Sequence, residues 1–123
     1  MGASGRWTVS DWQRKLESLQ PNKIELGLER VRAVAERLGL SSKNAIARRV
    51  VTVAGTNGKG STVCALERLL LKAGFRVGAY TSPHILHFNE RIRVMGASAD
   101  DETICSAFSV VESSRTDIDL TYF

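Results

Sequence analysis

The chain has 123 residues, 43% hydrophobic, 24% charged and 7% aromatic. A chain of this size buries roughly two-thirds of its unfolded surface, enough for one small domain and too little for two of ordinary size. The apolar share excludes disorder, and no run approaches the roughly 18–20 apolar residues of a membrane helix. The net charge of +4 (17 basic, 13 acidic residues) sits in separate short groups, Arg14-Lys15, Arg48-Arg49 and Arg91/Arg93, without interleaved aromatics, which argues against a nucleic-acid surface. The N-terminus shows no secretory h-region. The two distant cysteines, Cys64 and Cys105, imply neither a disulfide framework nor a zinc site, so a cytoplasmic setting is the default.

Ser10 reads as an N-cap, and Trp12, Leu16 and Leu19 give a short amphipathic helix over 11–19, with Pro21 beyond its end. An apolar link, Ile24-Glu25-Leu26-Gly27-Leu28, leads to a second helix over 28–38 that Gly39 stops. Residues 41–49 are a polar, basic loop. Val50-Val51-Thr52-Val53-Ala54 is a β-branched run of the kind found in buried strands. Helical spacing resumes with Val63, Leu66, Leu69, Leu70 and Ala73, and Gly74 ends it. Arg76–Tyr80 is the next strand. Strand, glycine loop, helix and strand predict a βαβ unit with parallel strands. Arg91–Met95 alternates as a half-buried edge strand. Ser98 or Asp100 caps a last helix over 101–113, and the tail from Thr116 shows no pattern.

The most informative segment is Gly55-Thr56-Asn57-Gly58-Lys59-Gly60-Ser61-Thr62, between a strand and a helix. Glycines let the backbone turn tightly and aim successive N–H groups inward. With the helix N-terminus they make an anion site suited to phosphates. Lys59 adds a full positive charge, and Ser61 or Thr62 a hydroxyl near a phosphate-bound Mg²⁺. The general P-loop pattern would put its first glycine at Val53 and its hydroxyl at Gly60, so both features come late here. Glycine-rich strand-to-helix turns also occur without ligands, but a central lysine flanked by hydroxyls favours a phosphate site.

The run A-G-T-N-G-K-G-S-T resembles the P-loop of the ATP-dependent amide ligases that include the UDP-muramoyl peptide ligases and the folylpolyglutamate synthases. Gly60 after the lysine looks like the folate branch. Ile24–Arg30 resembles the dihydropteroate-contacting stretch of the bacterial dihydrofolate synthase/folylpolyglutamate synthases. Tyr80–His84 and Glu90-Arg91-Ile92-Arg93-Val94 resemble their S-P-H loop and following E-R-I/V-R strand, and Leu120–Phe123 resembles their L-T-Y-F-E segment. The resemblance runs from about residue 8 to the end.

It implies an α/β fold, a partial three-layer parallel sheet with flanking helices of the Mur-ligase type. Residues 1–123 would be the N-terminal part of the ATP-binding domain, with the C-terminal domain absent. The implied activity is ligation of L-glutamate to dihydropteroate or folate through an acyl phosphate, in folate biosynthesis, with ATP and Mg as cofactors. By the same resemblance Gly55, Thr56, Asn57, Gly58, Lys59, Gly60 and Ser61 hold ATP phosphates, and Ser82 binds Mg²⁺. Leu26, Gly27, Leu28 and Thr121 line the pteroate site. The expected partners are small molecules, with no nucleic acid and no membrane, and the full-length family is monomeric. His84 is expected near pterin or phosphates, His87 at the surface; Cys64 and Cys105 read as packing residues, and Trp7/Trp12 as an N-terminal anchor. Because the family's later metal ligands and carbamylated lysine are not found here, a fragment inactive alone is expected. The alternatives are a standalone P-loop nucleotide-binding module and a muramoyl-type ligase fragment.

Overall fold

Thr8, not Ser10, starts the first helix. Its hydroxyl accepts from the Asp11 N–H at 3.2 Å while the Asp11 carboxylate accepts from the Thr8 N–H at 2.9 Å. In this reciprocal capping box each backbone N–H donates to the other residue's side-chain oxygen, so two donors are satisfied at the helix start. The computed structural model describes residues 6–19, 27–42 and 45–122. Helix α1 spans Val9–Ser18 and α2 Glu29–Arg37. Helix α3 spans Lys59–Lys72, strand β1 Gly78–Tyr80, β2 Ile92–Val94, β3 Ala97–Ser98, and helix α4 Asp101–Arg115. A 3-10 turn, Phe88–Arg91, leads into β2. Two compact units form, the first of the described residues in 1–50 and 105–123 and the second of residues 51–104.

In the first unit Trp12 is buried on α1. Its ring stacks on Phe108 of α4 at 5.5 Å and lies 4.6 Å from Trp7. Lys15 stands 5.1 and 5.3 Å from the two indole rings and reaches the Glu112 carboxylate at 2.6 Å. Arg115 grips the same carboxylate through two nitrogens, each at 2.8 Å. The Arg115 bonds, with help from Lys15, hold the Glu112 carboxyl down at about 2. The anchor role read for Trp7 and Trp12 is thus a packed aromatic group joining α1 to α4. Arg37 of α2 donates to the carbonyls of Ser114 and Arg115 at 3.1 and 2.9 Å, two of the orphan carbonyls at the C-terminus of α4.

In the second unit the sheet order is β1-β2-β3 and every pairing is antiparallel, with Gly78 opposite Val94 and Tyr80 opposite Ile92. The expected parallel βαβ pairing does not form among the described residues. Strand β1 finds its partner in β2, which the intervening loop returns in the opposite direction. The Val50–Ala54 run forms no strand and pairs with none of the described strands, and Val50 and Val51 are 73% and 68% exposed. A β-branched run becomes a buried parallel strand only when neighbours pair with it and layers cover both faces, and the described residues supply neither. Nor is β2 an edge strand: it is the middle of the three. Met95 and Gly96, both with positive φ (52° and 84°), form the two-residue turn to β3, the twist that tight hairpins favour. Of the two candidate caps for the last helix, Asp100 serves, accepting from the Thr103 N–H at 2.7 Å.

Removing the Trp12 side chain takes the centre out of the α1–α4 contact. We predict that Trp12→Ala destabilises by about 3–5 kcal/mol, read as a lowered midpoint of denaturant unfolding; an unchanged midpoint contradicts this packing.

Candidate functional site

The second unit carries two of the features singled out in the sequence. The first is the glycine loop. Gly58 sits at φ 76°, ψ 2°, the left-handed conformation that costs other residues about 1–2 kcal/mol, and α3 starts at the next residue. The first helical hydrogen bond runs from the Thr62 N–H to the Gly58 carbonyl at 3.0 Å. No side chain caps the helix and no acid lies in its first turn. The amides ahead of Thr62 therefore stand at a helix N-terminus where the macrodipole favours an anion.

Lys59 curls back over this loop. Its ammonium donates to the Gly55 carbonyl at 2.5 Å and lies 3.4 Å from that of Thr56. Thr62 spends its hydroxyl on the Gly58 carbonyl at 2.9 Å, which leaves Ser61 as the hydroxyl of the first turn able to turn outward. Gly60 is exposed, and a Cβ placed there would meet nothing within 4 Å. The fold itself has no steric need for glycine at that position.

The second feature is the loop after β1. Ser82 is exposed, next to the cis peptide it forms with Pro83. His84 is half-buried, and its Nδ1 accepts from the Arg91 Nε at 2.8 Å. The neighbouring backbone is closed by one carboxylate. Glu90 accepts from the N–H groups of Ile85, Leu86 and His87 at 2.8, 2.8 and 2.7 Å. These bonds, the one from Ile85 foremost, hold the Glu90 carboxyl at about 2, against an ordinary 4.5. His87 is exposed and serves as the cap of the 3-10 turn. The clamp is a role the sequence reading missed. The signal was present, since His87-x-x-Glu90 has the spacing of a capping box with imidazole in place of a hydroxyl.

The expected site residues fall in both units. Gly55–Ser61 and Ser82 lie in the 51–104 unit. Gly27, Leu28 and Thr121 lie in the other, where Leu28 forms the N-cap of α2 and is 66% exposed. Leu26 is outside the described residues. Neither Cys64 nor Cys105 forms a disulfide, and both are half-buried. Among the described residues no group of three His, Cys, Asp or Glu side chains could hold a metal ion, and no helix is long and apolar enough to cross a membrane.

The fold is similar to that of the Mur-ligase-like α/β proteins. Within that class the chain matches the N-terminal part of the dihydrofolate synthase/folylpolyglutamate synthases. It is 47% identical over 115 residues to the Escherichia coli dihydrofolate synthase/folylpolyglutamate synthase, covering 94% of this chain and 26% of that protein. It is similar to Escherichia coli FolC in complex with DHPP and ADP, at a TM-score of 0.85 and 45% identity over 95% of this chain and 28% of the other. A bifunctional folylpolyglutamate synthase/dihydrofolate synthase with Mn, AMPPNP and L-glutamate bound also gives a TM-score of 0.85, at 47% identity over 95% of this chain and 27% of that one. The chain thus spans about a quarter of the length of these proteins. No family model matches it.

A carboxylate held low stabilises the folded loop above its ordinary value and loses that contribution as pH falls from 4.5 towards about 2. We predict that the amide resonances of Ile85, Leu86 and His87 titrate together with a midpoint near 2; a midpoint near 4.5 contradicts the clamp.

Proposed function

We propose that this chain is the N-terminal part of the ATP-binding domain of a dihydrofolate synthase/folylpolyglutamate synthase. In this reading Gly55, Thr56, Asn57, Gly58, Lys59, Gly60 and Ser61 hold the nucleotide phosphates. The observation that carries it is the uncapped N-terminus of α3, entered through a left-handed Gly58 and overhung by Lys59. Gly60 adds support: glycine in a helix costs about 1 kcal/mol relative to alanine, nothing in the fold demands it there, and its missing side chain leaves room for a phosphate to approach the backbone. The ADP and AMPPNP in the similar structures agree with this choice of ligand.

Ser82 is assigned to Mg²⁺. A single hydroxyl holds a hard cation poorly, so phosphate oxygens of the nucleotide would complete its shell. Leu26, Gly27, Leu28 and Thr121 are assigned to the pteroate side; the exposed, apolar Leu28 at a helix start suits a flat aromatic ligand. In the whole protein, a carboxylate oxygen of dihydropteroate or folate attacks the γ-phosphorus of ATP and ADP leaves. The amine of glutamate then attacks the acyl carbon, forming the amide and expelling phosphate. The partners are these small molecules, the protein is monomeric, with no nucleic acid or membrane involved, and the setting is cytoplasmic, where ATP is at hand.

Two experiments test this. Lys59→Ala removes a charge-assisted contact worth about 1.5–3 kcal/mol, so Mg·ATP binding measured by titration calorimetry should weaken about tenfold to a hundredfold; equal affinity in the variant contradicts the assignment. The purified 123-residue chain supplied with ATP, dihydropteroate and glutamate should release no ADP; turnover contradicts its being one part of the catalytic unit.

A further inference from the structure

The segment Glu90-Arg91-Ile92-Arg93-Val94 has no role in the reading above, yet three of its side chains hold two separate elements. Glu90 closes the Ile85–His87 backbone through three amide bonds. Arg91, buried, fixes His84 through Nδ1 at 2.8 Å and lies 5.5 Å over the Phe88 ring. Its carbonyl accepts from the Thr81 N–H at 2.8 Å, which pins the backbone next to Ser82. Two residues on, Arg93 turns to α3. Its Nε and NH2 lie 2.8 and 2.7 Å from one oxygen of the buried Glu67 carboxylate. Glu67 sits on the same helix as Lys59, about 12 Å further along at 1.5 Å per residue.

The chemistry of each contact restricts movement. A carboxylate that accepts three successive N–H bonds leaves that stretch of backbone one conformation. A guanidinium bonded to imidazole Nδ1 fixes the ring plane and requires the proton of the neutral ring to be on Nε2. An ion pair that buries Glu67 resists sliding or rotation of α3 over β2, because either motion would leave a charge buried without its partner.

We propose, on the basis of the nucleotide reading above, that Glu90, Arg91 and Arg93 are positioning residues. They hold the Ser82–His84 loop and α3 in the arrangement that accepts nucleotide phosphates and their metal together, acting through those elements rather than on the ligand. Supports one shell removed from a metal site characteristically change its affinity about 10–100-fold when altered.

The test uses the full 123-residue chain and ADP, titrated with Mg²⁺ and again with EDTA. Glu90→Gln and Arg91→Gln are expected to weaken Mg·ADP binding about tenfold or more while metal-free ADP binding stays within about twofold. Arg93→Gln should weaken both, and Arg93→Lys should restore most of the loss. A purely structural role would lower thermal stability without changing the ratio of the two affinities. If wild type binds ADP and Lys59→Ala abolishes it, yet Glu90→Gln and Arg91→Gln keep the wild-type Mg·ADP affinity, the positioning proposal fails and the nucleotide reading stands. If wild type itself does not bind ADP, both fail. Should the variants not fold, the ¹⁵N shifts of His84 in wild type still decide: a neutral ring protonated on Nε2 supports the proposal, and one protonated on Nδ1 overturns it.

Discussion

The buried ion pair between Glu67 and Arg93 is the contact on which the 51–104 unit depends. It joins the middle of the glycine-loop helix to the central strand of a small sheet, where few large apolar groups are available to do so. Glu67 is only 5% exposed and its second carboxylate oxygen has no hydrogen-bond partner. Such a pair contributes little net stability when both members are present, but losing one member costs about 3–5 kcal/mol. It therefore selects one register of helix against strand more than it strengthens the fold. The hairpin supports that register from the other side: a Cβ on Gly96 would come within 3.1 Å of the Leu71 side chain.

Fixing α3 also fixes what stands at its start. A helix N-terminus offers partial positive charge only where its amides point, and here the left-handed Gly58 sets that direction. Lys59 satisfies its ammonium on the carbonyls of its own loop. In the proposed reading, an incoming phosphate would exchange these neutral acceptors for charged oxygens, and charge-assisted bonds are roughly twice as strong as neutral ones. The lysine thus has partners within its own loop, which it can exchange for a more strongly held one.

Much of this was legible in the sequence because it is local. Gly74 ends α3 as expected and Gly39 follows α2; Asp100 caps α4, one of the two residues named for that task. The glycine loop enters a helix where its pattern requires. The strands were harder. Val50–Ala54 has the composition of a buried strand, but burial depends on partners distant in sequence, and none among the described residues pairs with it. The 92–94 strand alternates as an edge strand does, yet a two-residue turn at Met95-Gly96 places it in the centre. Met95 occupies the position where Asn or Asp would signal that turn. Ser10 and Thr8, two residues apart, are both good caps, and only the reciprocal bond to Asp11 separates them.

The central claim is that one ligand engages the start of α3 and the Ser82 loop at once. Its most direct test is a nuclear magnetic resonance titration of the ¹⁵N-labelled chain with Mg·AMPPNP. The account predicts that the amides of Gly58, Lys59, Gly60 and Ser61 shift together with those of Thr81 and Ser82, along a single saturation curve. Shifts confined to other residues, or to one of the two loops alone, would contradict it.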